Sequence, residues 1–227
     1  SIHPPQEDDL RQAKPGALLI SQFAPFVHKE IGSELHQKGF QAFSLDMIPR
    51  TTLAQSMDVL SSMAGIAGYK AVLEAARLLP RYFPMLITAA GTIKPARVLI
   101  LGAGVAGLQA IATARRLGAQ VEAFDTRRAA KEEVESLGAK FVEVEGAVDD
   151  SAAGGYAVAQ SEEFLARQRA EVQARAAKAD VVITTAQVRG IKAPILLTKE
   201  TVGQMKPGSV VVDLAAHDPA ATHHHAF

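Results

Sequence analysis

The sequence predicts an α/β protein: a doubly wound parallel sheet, preceded by an incomplete second α/β lobe and joined to it by a long helix. Three observations predict it. From Arg97 onward, short apolar runs alternate with helical stretches, the rhythm of parallel strands covered on both faces by helices. The first of these runs leads directly into a glycine-rich turn at Gly102. The chain is 48% hydrophobic but only 5% aromatic, so the core that buries the sheet is aliphatic.

Residues 1–60 form the partial first lobe. "ALLISQF" (17–23) follows Pro15-Gly16 and is a buried strand. "HKEIGSELHQKG" (28–39) is an amphipathic helix stopped by Gly39. "FQAFSLD" (40–46) is the next strand. A helix is predicted from Thr52 to about Leu79, with Leu53, Met57, Leu60, Ala64, Ala67 and Ala71 as one apolar stripe. Gly65 and Gly68 predict a bend or break in it, close to the junction of the lobes. "PRYFPMLITAAGTIKPA" then crosses to the second lobe.

Residues 61–215 form the second domain. Its strands are expected at 97–101, 120–125, 139–144, 180–186 and 209–215. Its helices are expected at 105–118, 127–138 and 161–179, with a short one beginning near Thr198. Residues 216–227 are read as a disordered or non-native tail. His223, His224 and His225 lie there, but no carboxylate or second His pair stands nearby at helical spacing, so no metal site is predicted.

A formal net charge of zero argues against a nucleic-acid binder, which needs a basic surface to neutralise phosphates. No apolar run reaches the ~20 residues needed to cross a bilayer, and the opening residues do not read as a signal peptide. With no cysteine, there is no disulfide, thiolate nucleophile or Cys-based metal site, and a reducing compartment fits.

"LILGAGVAG" places Gly102, Gly104 and Gly107 as GxGxxG between a strand and a helix, and Asp125 ends the following strand. That context marks a Rossmann-type dinucleotide site. Gly102 permits the tight turn, Gly104 lets the backbone approach a diphosphate, and Gly107 lets helix and strand pack closely. The helix start offers free N–H groups and a positive dipole end. Asp125 favours NAD(H), because its carboxylate accepts from ribose hydroxyls and repels a 2′-phosphate. Arg127 and Arg128 beside it work the other way. "SAAGGYA" (151–157) is either a surface loop or a lid hinged at Gly154-Gly155, with Tyr156 as a cover.

"IPRTTLAQSMDVLSS" (48–62) crowds Arg50, Gln55 and Asp58 into nine positions. Thr52 and Gln55 have the spacing of a capping box. Gln55, Asp58, Ser61 and Ser62 share one polar helical face, which solvation alone would explain.

This stretch, with "TAAGTIKPARVLILGAGVAGLQAIATARRLGA", "GAKFVEV", "AGGYA", "ADVVITTA" and "MKPGSVVVDLA", resembles the NAD(H)-binding alpha subunits (domain I) of proton-translocating NAD(P) transhydrogenases, relatives of alanine dehydrogenase. The resemblance runs from about Pro15 to Ala215. It implies that Arg50 orients NADH, that Gln55 lies where two nicotinamides meet, that Asp58 fixes Arg50 by an ion pair, and that Ser61 contacts the nicotinamide end. It further implies that Val105, Asp125, Thr126 and Arg127 contact the adenosine half, and that Gly155 and Tyr156 close over the nucleotide. Gln168 and Gln187 fall at further NAD-contact positions, although an aliphatic residue is more usual at the position of Gln187.

The implied activity is direct hydride transfer between NADH and NADP+, with NADP(H) held on a partner subunit and protons moved by a membrane domain. The implied setting is a homodimer, cytoplasmic and peripheral to the inner membrane, inactive without its partners. The family's first strand-and-helix units and its continuation beyond "VVDLA" have no counterpart here, which predicts weakened folding of residues 1–60 and an exposed sheet edge. Two alternatives are an alanine-dehydrogenase-like enzyme, for which His28 and Lys29 make no convincing motif, and a non-catalytic NAD-binding remnant. A nucleoside-dependent methyl-transferring enzyme fits the glycine spacing less well.

Overall fold

In a computed structural model of the chain, residues 4–49, 51–144, 162–186 and 195–215 are described. The chain falls into two compact units divided between Met63 and Ala64.

The first unit holds α1 (Glu7–Gln12), β1 (Leu18–Ser21), α2 (Ile31–Gln37) and β2 (Gln41–Ser44). The two strands are parallel, with Ile20 opposite Phe43. Gly39, at φ +74°, ends α2 and turns the chain into β2. Leu10, Phe23 and Leu35 form a small core. The strand expected to be buried at 17–23 is therefore buried on one face only: Leu18 and Ile20, with Phe43 of β2, lie outside this core and are exposed.

Helix α3 (Val59–Leu78) differs from expectation in two ways. It begins seven residues later than Thr52, after a turn at 52–54 and a one-turn 3-10 helix, Gln55–Met57. Leu53, 90% exposed, therefore lies outside the helical stripe, and Met57 is exposed too. Nor does the helix break at Gly65 or Gly68. Gly68, Ala71, Val72 and Ala75 form its buried face. A Cβ on Gly68 would overlap the backbone carbonyl of Ala106, so this glycine permits close approach of two backbones, which offsets its helix-propensity cost.

An antiparallel hairpin, β3 (Leu86–Thr88) and β4 (Gly91–Ile93), follows where only a crossing segment was expected. Then come β5 (Arg97–Leu101), α4 (Val105–Arg116), β6 (Gln120–Phe124), α5 (Ala130–Ser136), β7 (Lys140–Phe141), α6 (Glu162–Ala176), β8 (Val181–Thr184), α7 (Lys199–Gln204) and β9 (Val210–Asp213). The predicted third strand, 139–144, contracts to two ladder residues, although the Val142 N–H still donates to the Ala123 carbonyl at 2.8 Å.

These five strands form one parallel sheet in the order β7-β6-β5-β8-β9. Side chains alternate across it. Val98 and Ile100 of β5 pack with Val72, Ala110, Ile111 and Val134 of the helices on one face. Leu99 and Leu101 pack with Val172 and Ala176 of α6 on the other. At the amino ends of the strands, the buried Asp180 carboxylate accepts from the Arg97 N–H at 2.8 Å, Lys206 at 2.8 Å and Arg81 at 3.1 Å. Burial pushes this carboxyl up, but the three donors together outweigh burial and hold it below the usual carboxylate range.

Candidate functional site

Strand order reverses at β5, whose neighbours β6 and β8 lie on its two sides. The crevice outside the carboxyl ends of β5 and β8 is where open α/β sheets bind ligands. Gly102 follows β5 there at φ +105°, in the left-handed region that favours glycine. The Thr185 Oγ1 donates to the Gly102 carbonyl at 3.0 Å. A Cβ on Gly107 would collide with that same carbonyl, so α4 packs directly on the turn. Gly104, by contrast, has open space where its Cβ would stand. It precedes α4 as N-cap, with φ −75°, and has no side chain with which to cap the helix. The first-turn N–H groups of α4 have no intrahelical acceptor and carry the positive end of the helix dipole. Val105, at the start of that helix, is 45% exposed. A diphosphate fits this cradle, because nothing but a side chain at 104 would fill it.

Asp125 follows β6. Its Oδ2 accepts from the Ala103 N–H at 2.7 Å and its Oδ1 from the Arg127 N–H at 2.8 Å. The Arg127 guanidinium closes on both oxygens, at 3.1 and 3.2 Å, and also donates to the Ala103 carbonyl at 3.3 Å. Asp125 thereby joins the glycine turn to the end of the next strand. Its hydrogen bond raises the Arg127 pKa further above its ordinary value. Thr126, between the two, is exposed.

Gly102, Gly104, Val105, Gly107, Asp125, Thr126 and Arg127 thus belong to one loop system. Gln168 is half-buried on the α6 stripe that runs through Phe164 and Val172; among the described residues no hydrogen bond joins it to the glycine turn. Arg50, Gly155, Tyr156 and Gln187 lie outside the described residues, as do His223, His224 and His225. Among the described residues no cluster of His, Asp or Glu could hold a metal ion.

In the first unit, the predicted Thr52–Gln55 capping box does not start α3. Asp58 caps it instead, accepting from the Ser61 N–H at 3.0 Å and the Ser61 Oγ at 2.6 Å. This is the bond an N-cap side chain makes to the third helical residue. Gln55 stands exposed in the 3-10 turn.

Two residues of the crevice carried no sequence signal. Thr185 braces the glycine turn from 83 positions away, and nothing in a Thr-Thr pair announces that. Asp213, at the end of β9, accepts from the Thr184 Oγ1 at 2.6 Å and the Ala215 N–H at 2.8 Å, tying together the carboxyl ends of β8 and β9.

Residues 71–223 match the family described as "Alanine dehydrogenase/PNT, C-terminal domain", and residues 1–67 match its N-terminal domain. The chain belongs to the alanine dehydrogenase/PNT family. Within this family it is 48% identical over 210 residues to an NAD(P) transhydrogenase subunit alpha protein of Rhodospirillum rubrum, covering 92% of this chain and 55% of that protein. It is 46% identical to the "NAD(P) transhydrogenase subunit alpha" of Haemophilus influenzae, covering 95% and 42%. The chain therefore spans about half the length of these relatives. The structure of transhydrogenase from Sinorhizobium meliloti superposes with a TM-score of 0.83 at 48% identity, covering 93% of this chain and 57% of that one. An L-alanine dehydrogenase structure gives a TM-score of 0.71 at 27% identity, covering 93% and 54%.

Proposed function

We propose that this chain is the NAD(H)-binding component of an NAD(P) transhydrogenase. It holds NADH for direct hydride transfer to NADP+ carried by a partner subunit. The observation that carries this reading is the open Gly104 cradle beside Asp125 in a chain 46–48% identical to transhydrogenase alpha subunits. Alanine dehydrogenases are more distant, at 24–28% identity.

The nicotinamide supplies the hydride chemistry when the nucleotide is bound. The residues of this chain position it. Gly104 leaves room for the diphosphate, the α4 N–H groups receive it, and the Asp125–Arg127 pair meets the adenosine ribose. Gly155 and Tyr156 close over the nucleotide, and Gln168 and Gln187 add contacts to it. Arg50, held by Asp58, orients the nicotinamide end together with Ser61, and Gln55 aligns it with the partner's ring. Direct transfer requires the reacting atoms about 3–3.5 Å apart, so alignment is the protein's contribution. The exposed Leu53 and Met57, flanking Gln55, offer an apolar seat for the NADP(H)-binding partner.

Proton translocation belongs to a membrane domain that this component meets through its partners, at the face of the inner membrane. Among the described residues no helix is long and apolar enough to cross a membrane. A homodimer is part of the same reading. The β3–β4 hairpin, with Met85, Leu86, Ile87 and Ile93 all exposed, suits burial against a second copy.

Calorimetric titration tests the nucleotide assignment. NADH is expected to bind more tightly than NADPH, and the reverse order would sink it. Mixing the chain with an NADP(H)-binding subunit then tests the reaction: NADH should be oxidised by an NADP+ analogue only in the mixture. Oxidation of NADH by the chain alone with pyruvate and ammonium would favour an alanine dehydrogenase instead.

A further inference from the structure

The amino ends of the five strands, remote from the glycine turn, carry a second concave surface. It is a cavity of about 460 Å³ bounded by β5, β6, the start of β7 and the last turns of α4 and α6. Four cations converge on it: Arg97 opens β5, Lys140 opens β7, Arg115 lies in the last turn of α4 and Lys178 follows α6. Its two carboxylates are already engaged. Arg175 binds Glu122 at 2.9 Å and Glu171 at 2.6 Å. Among the described residues no carboxylate pairs with Arg97, Arg115, Lys140 or Lys178, so the lining carries a net charge of three positive, five cations less two carboxylates. The whole chain has a net charge of zero, so the excess is local.

Helix dipoles account for part of it, because cations favour helix carboxyl ends. Arg115, which donates to the Ala119 carbonyl at 3.3 Å, and Lys178 are in such places. Arg97 and Lys140 begin strands, where no dipole attracts them. Like charges gathered around one cavity repel, and a bound anion relieves that repulsion. The interior lining is aliphatic, from Val98, Leu99 and Val121, and no aromatic ring lines it for a base to stack on. The volume lies within the usual range for small-molecule sites.

We infer that this cavity is a second ligand site, for a compact anion bearing two or more charges, such as a short polyphosphate or a tricarboxylate. It is separate from the dinucleotide crevice, because parallel strands place their amino and carboxyl ends at opposite edges of the sheet.

Titration calorimetry of the full chain with inorganic pyrophosphate and with citrate, at low ionic strength and without divalent cations, tests this. Because the glycine turn also attracts phosphate, the decisive comparison is with the double variant Arg97→Gln/Lys178→Gln. Both side chains are exposed, and matching thermal melts establish that the variant folds. At least one probe should bind the parent chain saturably, with about tenfold or greater weakening in the variant, because two of the cations that face the anion are removed. Affinity should also fall as salt is raised. Absence of saturable binding by either probe overturns the inference. So does equal affinity in parent and variant, which would assign the binding to the glycine turn.

Discussion

The Arg127 guanidinium closes on the Asp125 carboxylate, whose two oxygens together accept four donors: the Ala103 N–H, the Arg127 N–H and two nitrogens of the guanidinium. An ionised carboxylate has about four lone-pair sites, so Asp125 is filled without a nucleotide. A ribose hydroxyl can reach it only by displacing part of the Arg127 contact. Arg127 also partly cancels the negative charge that would repel a 2′-phosphate. Arg127→Ala should therefore sharpen the preference for NADH over NADPH. It should cost less than about 1 kcal/mol of stability, because the arginine is 41% exposed. Asp125→Ala should erase the preference. It should also lower stability by about 1–3 kcal/mol, since the Ala103 N–H loses its acceptor. Paired calorimetry and chemical denaturation of the two variants check this.

The glycines divide by what surrounds each missing Cβ. Gly107→Ala drives a methyl into the Gly102 carbonyl, and Gly68→Ala drives one into the Ala106 carbonyl. Each should lose about 1–3 kcal/mol. Gly65, in the same helix as Gly68, faces open space, and Gly65→Ala should gain about 0.5–1 kcal/mol. Gly104→Ala should leave the melting temperature nearly unchanged and weaken NADH binding, because its Cβ enters only the open space proposed to receive the diphosphate. Denaturation curves for all four, with NADH titration of the last, check this series.

Those same positions explain how much was legible in the sequence. The parallel sheet was, because β5, β6 and β8 are apolar runs bounded by turns. The glycine turn was, because backbone geometry at Gly102 and Gly107 excludes other residues. Gly68 misled, because its cost to the helix is local while its gain, contact with Ala106, lies 38 positions on. Thr52 and Gln55 spell a capping box, yet the Asp58–Ser61 pair competes for the helix start and supplies two hydrogen bonds. The β3–β4 hairpin turns through Ala89-Ala90, which lacks the Asn-Gly or Asp-Gly signature of a two-residue loop. Thr185 and Asp213 act through partners that only the folded sheet brings near.

Asp180 makes acid stability sensitive to one carboxylate. Its pKa is depressed in the folded chain, so its contribution is fully present above the unfolded value of about 4 and is lost as pH falls through the lower folded value. Its side chain is 5% exposed and accepts from one backbone N–H and two cations. Asp180→Asn should cost about 2 kcal/mol at neutral pH. That difference should shrink as pH drops below about 4, where the unfolded carboxyl takes up its proton while the folded one is still ionised. Urea denaturation of both proteins from pH 7 to pH 3 measures it. A gap that stays constant across the range would contradict the assignment.

Asp58 separates helix capping from orientation of the nucleotide. As a cap it needs only an oxygen to receive the Ser61 N–H, and asparagine provides one. As the proposed anchor of Arg50 it needs negative charge. Asp58→Asn should therefore keep the stability of α3 within about 0.5 kcal/mol, whereas Asp58→Ala should lose about 1 kcal/mol. Both should slow hydride exchange with the NADP(H)-binding partner, and to a similar degree. Gln55, exposed and outside the helix, makes the control: Gln55→Asn should slow exchange with neither a stability change nor a marked change in NADH affinity. If Asp58→Asn exchanged hydride at the parent rate, the anchoring role would be lost and the cap alone would remain.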